Sequence, residues 1–158
     1  YIILLLVCCK VSAQDKSNKG TEFWLGYGNC VSFDVMDYDG INNQEEVLYI
    51  SAEEAAQVTI SVNGTSWAQV VNVPANSVNV SITLPKTGPD DCRIRNEGLF
   101  DRAVHVVSSK PIVVYAHLYN TQLSGATMLF PVETYGYTYY SINYKQPPAP
   151  AFPGKNSA

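Results

Sequence analysis

Charge, histidine and methionine are scarce in this chain. Of 158 residues, 15% are charged, and there are two histidines and two methionines. Ten Lys and Arg against fourteen Asp and Glu leave a net charge of −4, without the basic excess that nucleic-acid binding draws on. No run approaches the roughly 18 apolar residues of a membrane-spanning helix. No Gly-x-Ser-x-Gly elbow occurs, and neither His sits in a recognised catalytic motif. A convincing helical period and a fixed-length repeat are also missing. What is plentiful is apolar and aromatic: 46% hydrophobic residues, with 11 Tyr. That suits one sizeable core and excludes a disordered chain.

The chain opens without Met, inside an apolar run from Ile2 to Cys9 that Lys10 ends. Val11, Ser12 and Ala13 follow, with Val11 and Ala13 at the two positions a signal peptidase reads. Residues 1–13 therefore read as a clipped secretory signal peptide. Acylation of Cys8 or Cys9 would want a small residue before Cys8, where Val7 stands. After cleavage Cys30 and Cys92 are left, and two readings stand for an exported chain: one disulfide, or two buried free thiols.

Residues 15–145 read as short strands punctuated by turns. The expected strands are 46–51, 57–62, 67–73, 77–84, 103–107, 112–119, 128–132 and 137–144. Asn63-Gly64 after an alternating run predicts a tight type I′ hairpin. In 77–84, Val78, Val80, Ile82 and Leu84 alternate with polar residues and are expected to point inward. Ser108-Ser109-Lys110-Pro111 reads as the turn between two strands. Short strands with Gly, Asn and Pro turns predict an all-β fold, an antiparallel β-sandwich. Residues 146–158 are a proline-rich loop or linker.

Candidate sites are few. Glu97, Asp101 and Glu133 are carboxylates without a paired pattern, so a hydrolase has weak footing and the expectation is no enzyme. His105 and His117 flank the 108–111 turn; one residue of register decides whether they share a face. A third ligand for a metal is not in sight. The acidic loop offers Asp34, Asp37 and Asp39 to an irregular calcium site, with an exposed acidic loop as the favoured reading. No other cofactor is expected. Tyr135, Tyr137, Tyr139, Tyr140 and Tyr144 crowd one segment. On a strand they divide between two faces, so most are read as structural, although with Trp67 they motivate a carbohydrate-binding module. Asn63-Gly64-Thr65 and Asn79-Val80-Ser81 match the glycosylation sequon, which matters in a eukaryotic secretory pathway.

An ordered series of phrases stands out: KGTEFWLGY at 19–27, ISAEEAAQV at 50–58, VPAN at 73–76, LPKTG at 84–88, VHVVSSKPIVVYAH at 104–117 and SGATMLFPVETYGY at 124–137. The series resembles the N-terminal domain of the IgG Fc-binding protein family, in its bacterial branch. The resemblance implies a β-rich extracellular domain at the front of a longer surface or secreted protein. It also implies further strands after the proline stretch, so that the domain is cut short here. Bacterial relatives often continue into immunoglobulin-like repeats and a sorting domain. It carries over no catalytic or binding residue, and antibody binding does not follow from the family's name. The expectation is a non-catalytic adhesion or interaction domain, secreted or at the cell surface. Its partner would be an extracellular protein or glycan, with no nucleic acid and no membrane insertion of the mature chain.

Overall fold

The computed structural model describes residues 17–28, 44–94, 98–119 and 124–140. The strands among them are β1 (Gly20–Leu25), β2 (Tyr27–Gly28), β3 (Glu45–Ala52), β4 (Ala56–Val62), β5 (Ala68–Val73), β6 (Ser77–Thr83), β7 (Arg93–Ile94), β8 (Val104–Tyr119) and β9 (Ser124–Met128). Two 3-10 turns, Gly88–Asp90 and Val132–Thr134, complete the regular structure of the described residues. The all-β expectation holds. Seven strands form one antiparallel sheet that curls over its own core; β2 and β7 make a separate two-residue parallel bridge.

The sheet is organised by β8, which is 16 residues long and bonded along both edges. On one edge β3 pairs with its residues 112–119 and β4 with 104–108. On the other edge β1 covers 104–112 and β9 covers 115–119. Beyond β3 and β4 lie β6 and β5, so residues 45–83 form one long hairpin with its tip at 62–67. Two rows of the sheet are interrupted at the same level, 53–55 and 74–76, and the facing residues 109–111 of β8 pair with neither β3 nor β4.

That level explains a difference from the sequence reading. The 108–111 stretch was expected to turn the chain back, yet β8 continues through it, with a register shift against β1 between Gly20 and Glu22. Proline has no N–H to give a ladder. Pro111 sits where the facing row is itself interrupted, so no partner misses that donor. Serine side chains fill in for the ladder here. Ser109 Oγ accepts from the Gln57 N–H at 2.9 Å, and Ser108 Oγ donates to the Lys110 carbonyl at 2.7 Å.

Alternation then sorts β8 into two faces. Val104, Val106, Ile112, Val114 and Ala116 point into the core, where Phe23, Leu48, Ile50, Val58 and Ile60 are fully buried. Residues 105, 107, 113, 115, 117 and 119 point outward. Of the set expected inward over 77–84, Val78 alone fails. Ile82 and Leu84 are buried and the half-buried Val80 packs on the core, but Val78 is 75% exposed. The register shifts between Ile50 and Ala52 on β3, where Asn79 takes φ +61°, and this bulge flips the phase of the strand's start.

The Asn63-Gly64 hairpin is present, but its turn differs from type I′. Gly64 has φ +66°, whereas Asn63 is not in the left-handed region. Tertiary contacts hold Asn63: its N–H donates to the Ala103 carbonyl at 2.8 Å and its side chain to Asp101. Strand 128–132 is also displaced. The strand is Ser124–Met128, and Val132–Thr134 is a 3-10 turn. Residues 137–140 are not in a strand. The expected signal peptide, the acidic stretch from Asp34 to Asp39 and the proline-rich end lie outside the described residues.

Candidate functional site

Two groups of side chains stand apart from ordinary core and surface. The first is on the outer face of the sheet. Register places Trp24 of β1 directly opposite His105 of β8. Their rings stack, with centroids 3.9 Å apart and planes 9° from parallel. Glu22, two residues before Trp24 and on the same face, closes the group. Its Oε1 accepts from the Trp24 indole N–H at 3.3 Å and lies 2.9 Å from His105 Nε2. Trp24 remains 38% exposed, and Val107 beside it 42%.

Across the interruption, the same face carries a second aromatic group. Tyr49 of β3 sits opposite Tyr115 of β8, which is 40% exposed. His117 stacks on Tyr119 with ring centroids 4.7 Å apart, and lies 5.9 Å from the Tyr49 ring. His117 Nε2 is 2.8 Å from Ser124 Oγ on β9.

The second group is buried, at the end of the sheet where β2 and β7 meet. Glu46 of β3 is on the inward face and fully buried. Neither of its carboxylate oxygens has a hydrogen-bond partner. Burial pushes its carboxyl up to about 7, against the pull of Arg93 and Lys86. Burial likewise pushes the Cys92 thiol up to about 12 and raises the Tyr27 phenol, with Glu46 adding to both. The Tyr27 hydroxyl donates to the Val47 carbonyl at 3.0 Å. Arg93 makes a two-pronged pair with Asp91, at 2.9 and 2.8 Å.

The sequence candidates fall as follows. His105 and His117 share the outer face but are twelve positions apart on one strand, roughly 40 Å of chain at about 3.3 Å per residue. They cannot hold one metal between them. Glu133 accepts from Thr21 Oγ1 at 3.0 Å, and Asp101 from Asn63, so these carboxylates are not brought to either imidazole. A bond from its own backbone N–H, with those from Thr21, holds the Glu133 carboxyl below its ordinary value despite slight burial. Asp34, Asp37, Asp39, Glu97, Cys30 and Tyr144 lie outside the described residues. Among the described residues, no group of three His, Cys, Asp or Glu is placed to hold a metal. Cys92 is a buried free thiol.

Trp67 is half-buried and packs on the core. The tyrosine segment is a correction: Tyr135, Tyr137, Tyr139 and Tyr140 are exposed, not core. They lack a strand's two faces because Pro131 and the Val132–Thr134 turn end the regular structure before them. The sequence reading missed Trp24 and Tyr49 as site residues, and it set Glu46 at the end of the acidic loop rather than in the core. Alternation in 112–119 already put Tyr115, His117 and Tyr119 together; only register across strands could add the other two aromatics.

No family model matches the chain, and no curated protein matches it. Among solved structures, the crystal structure of Thermotoga maritima 1070 aligns with 74% of this chain and 98% of its own. The identity is 14% and the TM-score 0.39, a likeness too slight to carry an argument. No helix among the described residues is long and apolar enough to cross a membrane.

Proposed function

We propose that the chain is a non-catalytic, exported interaction domain of a bacterial surface or secreted protein, engaging its partner through the outer face of the curled sheet. The observation that carries this reading is the pair of aromatic groups on that face: Trp24 with His105 and Glu22, and Tyr49 with Tyr115, His117 and Tyr119. Tyr and Trp lose little rotamer freedom on binding and bury large areas, so they dominate interface energetics. Mounted on paired strands, they are held in place before a partner arrives. The apolar leader and the resemblance to the bacterial IgG Fc-binding N-terminal family support the extracellular setting.

The experiment is a binding comparison on surfaces coated with extracellular-matrix protein. Trp24→Ala and Tyr115→Ala should each weaken binding at least tenfold, the truncation cost of an interface anchor. Thermal unfolding should hardly move. Binding untouched by both changes would remove the outer face from the reading, and cytoplasmic retention of the unprocessed chain would remove export.

A carbohydrate-binding module is the second reading, favoured by the exposed Tyr135, Tyr137, Tyr139 and Tyr140. Exposed aromatic rings offer flat faces for sugar rings. A glycan array separates the two: reproducible hits lost in Tyr137→Ala and Tyr139→Ala select the module.

A further inference from the structure

Strand β5 is an open edge of the curled sheet. Among the described residues it pairs with β4 alone. Val62 N–H donates to the Trp67 carbonyl at 3.2 Å, so 62 and 67 form a hydrogen-bonded pair. Antiparallel pairs alternate between bonded and non-bonded. Along the register, 60–69, 58–71 and 56–73 are therefore bonded, while 61–68, 59–70 and 57–72 are not. The same parity sends the Asn63 N–H the other way, to the Ala103 carbonyl just before β8. Ala68, Val70 and Asn72 thus turn their backbone N–H and C=O away from β4 to the open side, and all three residues are exposed.

Sheet edges are normally blunted by charge, proline, a bulge, shortness or a covering loop, because unpaired backbone groups are a template for another strand. Such devices are present elsewhere on the rim of this sheet. On β1, Glu133 accepts from the Thr21 N–H and hydroxyl, and Pro131 lies so close to Gly20 that an added Cβ would stand 2.2 Å from it. Strand β6 is bulged, with Asn79 at φ +61°. Strand β9 is five residues long with Gly125 inside it. Strand β5 has none of these. It reads Ala-Gln-Val-Val-Asn-Val, and no charged residue occurs from Ala55 to Pro85. Pro74 follows the strand rather than interrupting it.

We propose that β5 is a self-association edge: two copies of the chain pair antiparallel, β5 to β5, about a two-fold axis at Val70. In that register Val70 faces the partner's Val70, and Ala68 faces the partner's Asn72. The three outward-turned residues are spaced evenly about Val70, so each free N–H meets a carbonyl of the other copy and none is left over. Charge favours a second copy over a foreign strand. The chain has a net charge of −4, so two copies repel over most of their surface. The uncharged edge is where they can approach, and it holds no charge with which to select a different partner. A single strand pair is a small interface, below the roughly 1,200 Å² of standard complexes, so the dimer is a reversible one. The edge is separate from the aromatic groups of the outer face, so the pairing stands or falls apart from that docking reading.

Sedimentation of the full chain from about 5 to 500 µM, a span suited to a small interface, should show a monomer passing into a dimer. Val70→Lys puts two like charges at the axis, and Val70→Pro removes the outward N–H without touching the β4 ladder. Each should raise Kd at least tenfold. Val78→Lys on β6, exposed and outside the pairing, should leave it unchanged. Amide exchange of the native chain reads the register without any variant. Ala68, Val70 and Asn72 should exchange freely in dilute solution and slow at least tenfold as the dimer forms, while Gln69 and Val71 stay protected throughout. Three results would overturn the proposal. One is a monomer at every concentration, which would leave the edge to a strand of another protein. Another is a dimer that survives both Val70 substitutions. The third is protection of Ala68, Val70 and Asn72 already in the dilute monomer, which means that another segment of the chain fills the edge.

Discussion

Gly64 offers a sharp check on how the long hairpin is docked. A Cβ added there would stand 2.5 Å from the Asp101 carbonyl oxygen, well inside contact distance. That carbonyl is not free to retreat, because the same segment accepts the Asn63 N–H at Ala103 and the Asn63 side chain at Asp101. Gly64 also has φ +66°. The left-handed backbone alone costs a non-glycine residue about 1 kcal/mol. Straining or losing the Asn63 to Ala103 hydrogen bond adds about 1 kcal/mol. Gly64→Ala should therefore destabilise by about 2 kcal/mol, or roughly 6–8 °C in Tm for a domain of this size.

Two other glycines separate the contributions. Gly88 shares the left-handed backbone, φ +71°, but a Cβ there meets nothing within 4 Å, so Gly88→Ala should cost about 1 kcal/mol. Gly125 has neither constraint, and Gly125→Ala should stay within about 0.5 kcal/mol of the parent. Urea unfolding followed by circular dichroism measures all three on one scale. If Gly64→Ala and Gly88→Ala prove equal, the hairpin tip is not wedged against Asp101 and the docking described here is wrong.

Other consequences can be measured on the same preparations. Glu46 titrates near 7 in the fold against an ordinary value near 4.5, so its burial penalty is absent below about pH 4.5, grows up to pH 7 and then levels off. The chain should lose about 3 kcal/mol of stability from this group between pH 4.5 and 8, and urea midpoints of Glu46→Gln should lack that loss. Ile50, fully buried where β3 faces Val114 of β8, should cost about 3 kcal/mol on truncation to Ala; a loss under 1 kcal/mol would contradict its central place in the core. Cys92, buried and with its thiol pushed up to about 12, should resist iodoacetamide at pH 7 unless the chain is unfolded. Labelling as fast as in urea would refute that.

Much of the architecture was legible in the sequence because one-sided burial prints itself as alternation. Strand β4, with Val58, Ile60 and Val62 inward, is the clearest instance. The alternation failed where the backbone stepped out of phase, as at Asn79, since a bulge inserts a residue without leaving a composition signature. The turn reading also failed at Ser108 to Pro111, where residues that ordinarily mark a turn sit inside a continuous strand whose partner on one edge is interrupted. The outer aromatic groups were half legible, since Tyr115, His117 and Tyr119 share one strand, while Trp24 and Tyr49 join them only through cross-strand register. The burial of Glu46 was hidden: read in line, Glu45-Glu46 is an ordinary polar pair at the end of the acidic loop, and nothing local says that one of the two faces inward.

The two-edged position of β8 bears on the order in which the chain can assemble. Strands β1, β3 and β4 are made before β8, yet each takes an edge of it as a partner. The 45–83 hairpin can zip up locally from its tip, but it carries an open edge until residues 104–119 arrive. β1, from the start of the described chain, waits longest. Long-range pairing of this kind is slow, because loop closure must be met before the contacts that reward it. A chain that appears N-terminus first would therefore hold its sheet half built and condense only when its sixteen-residue keystone arrives.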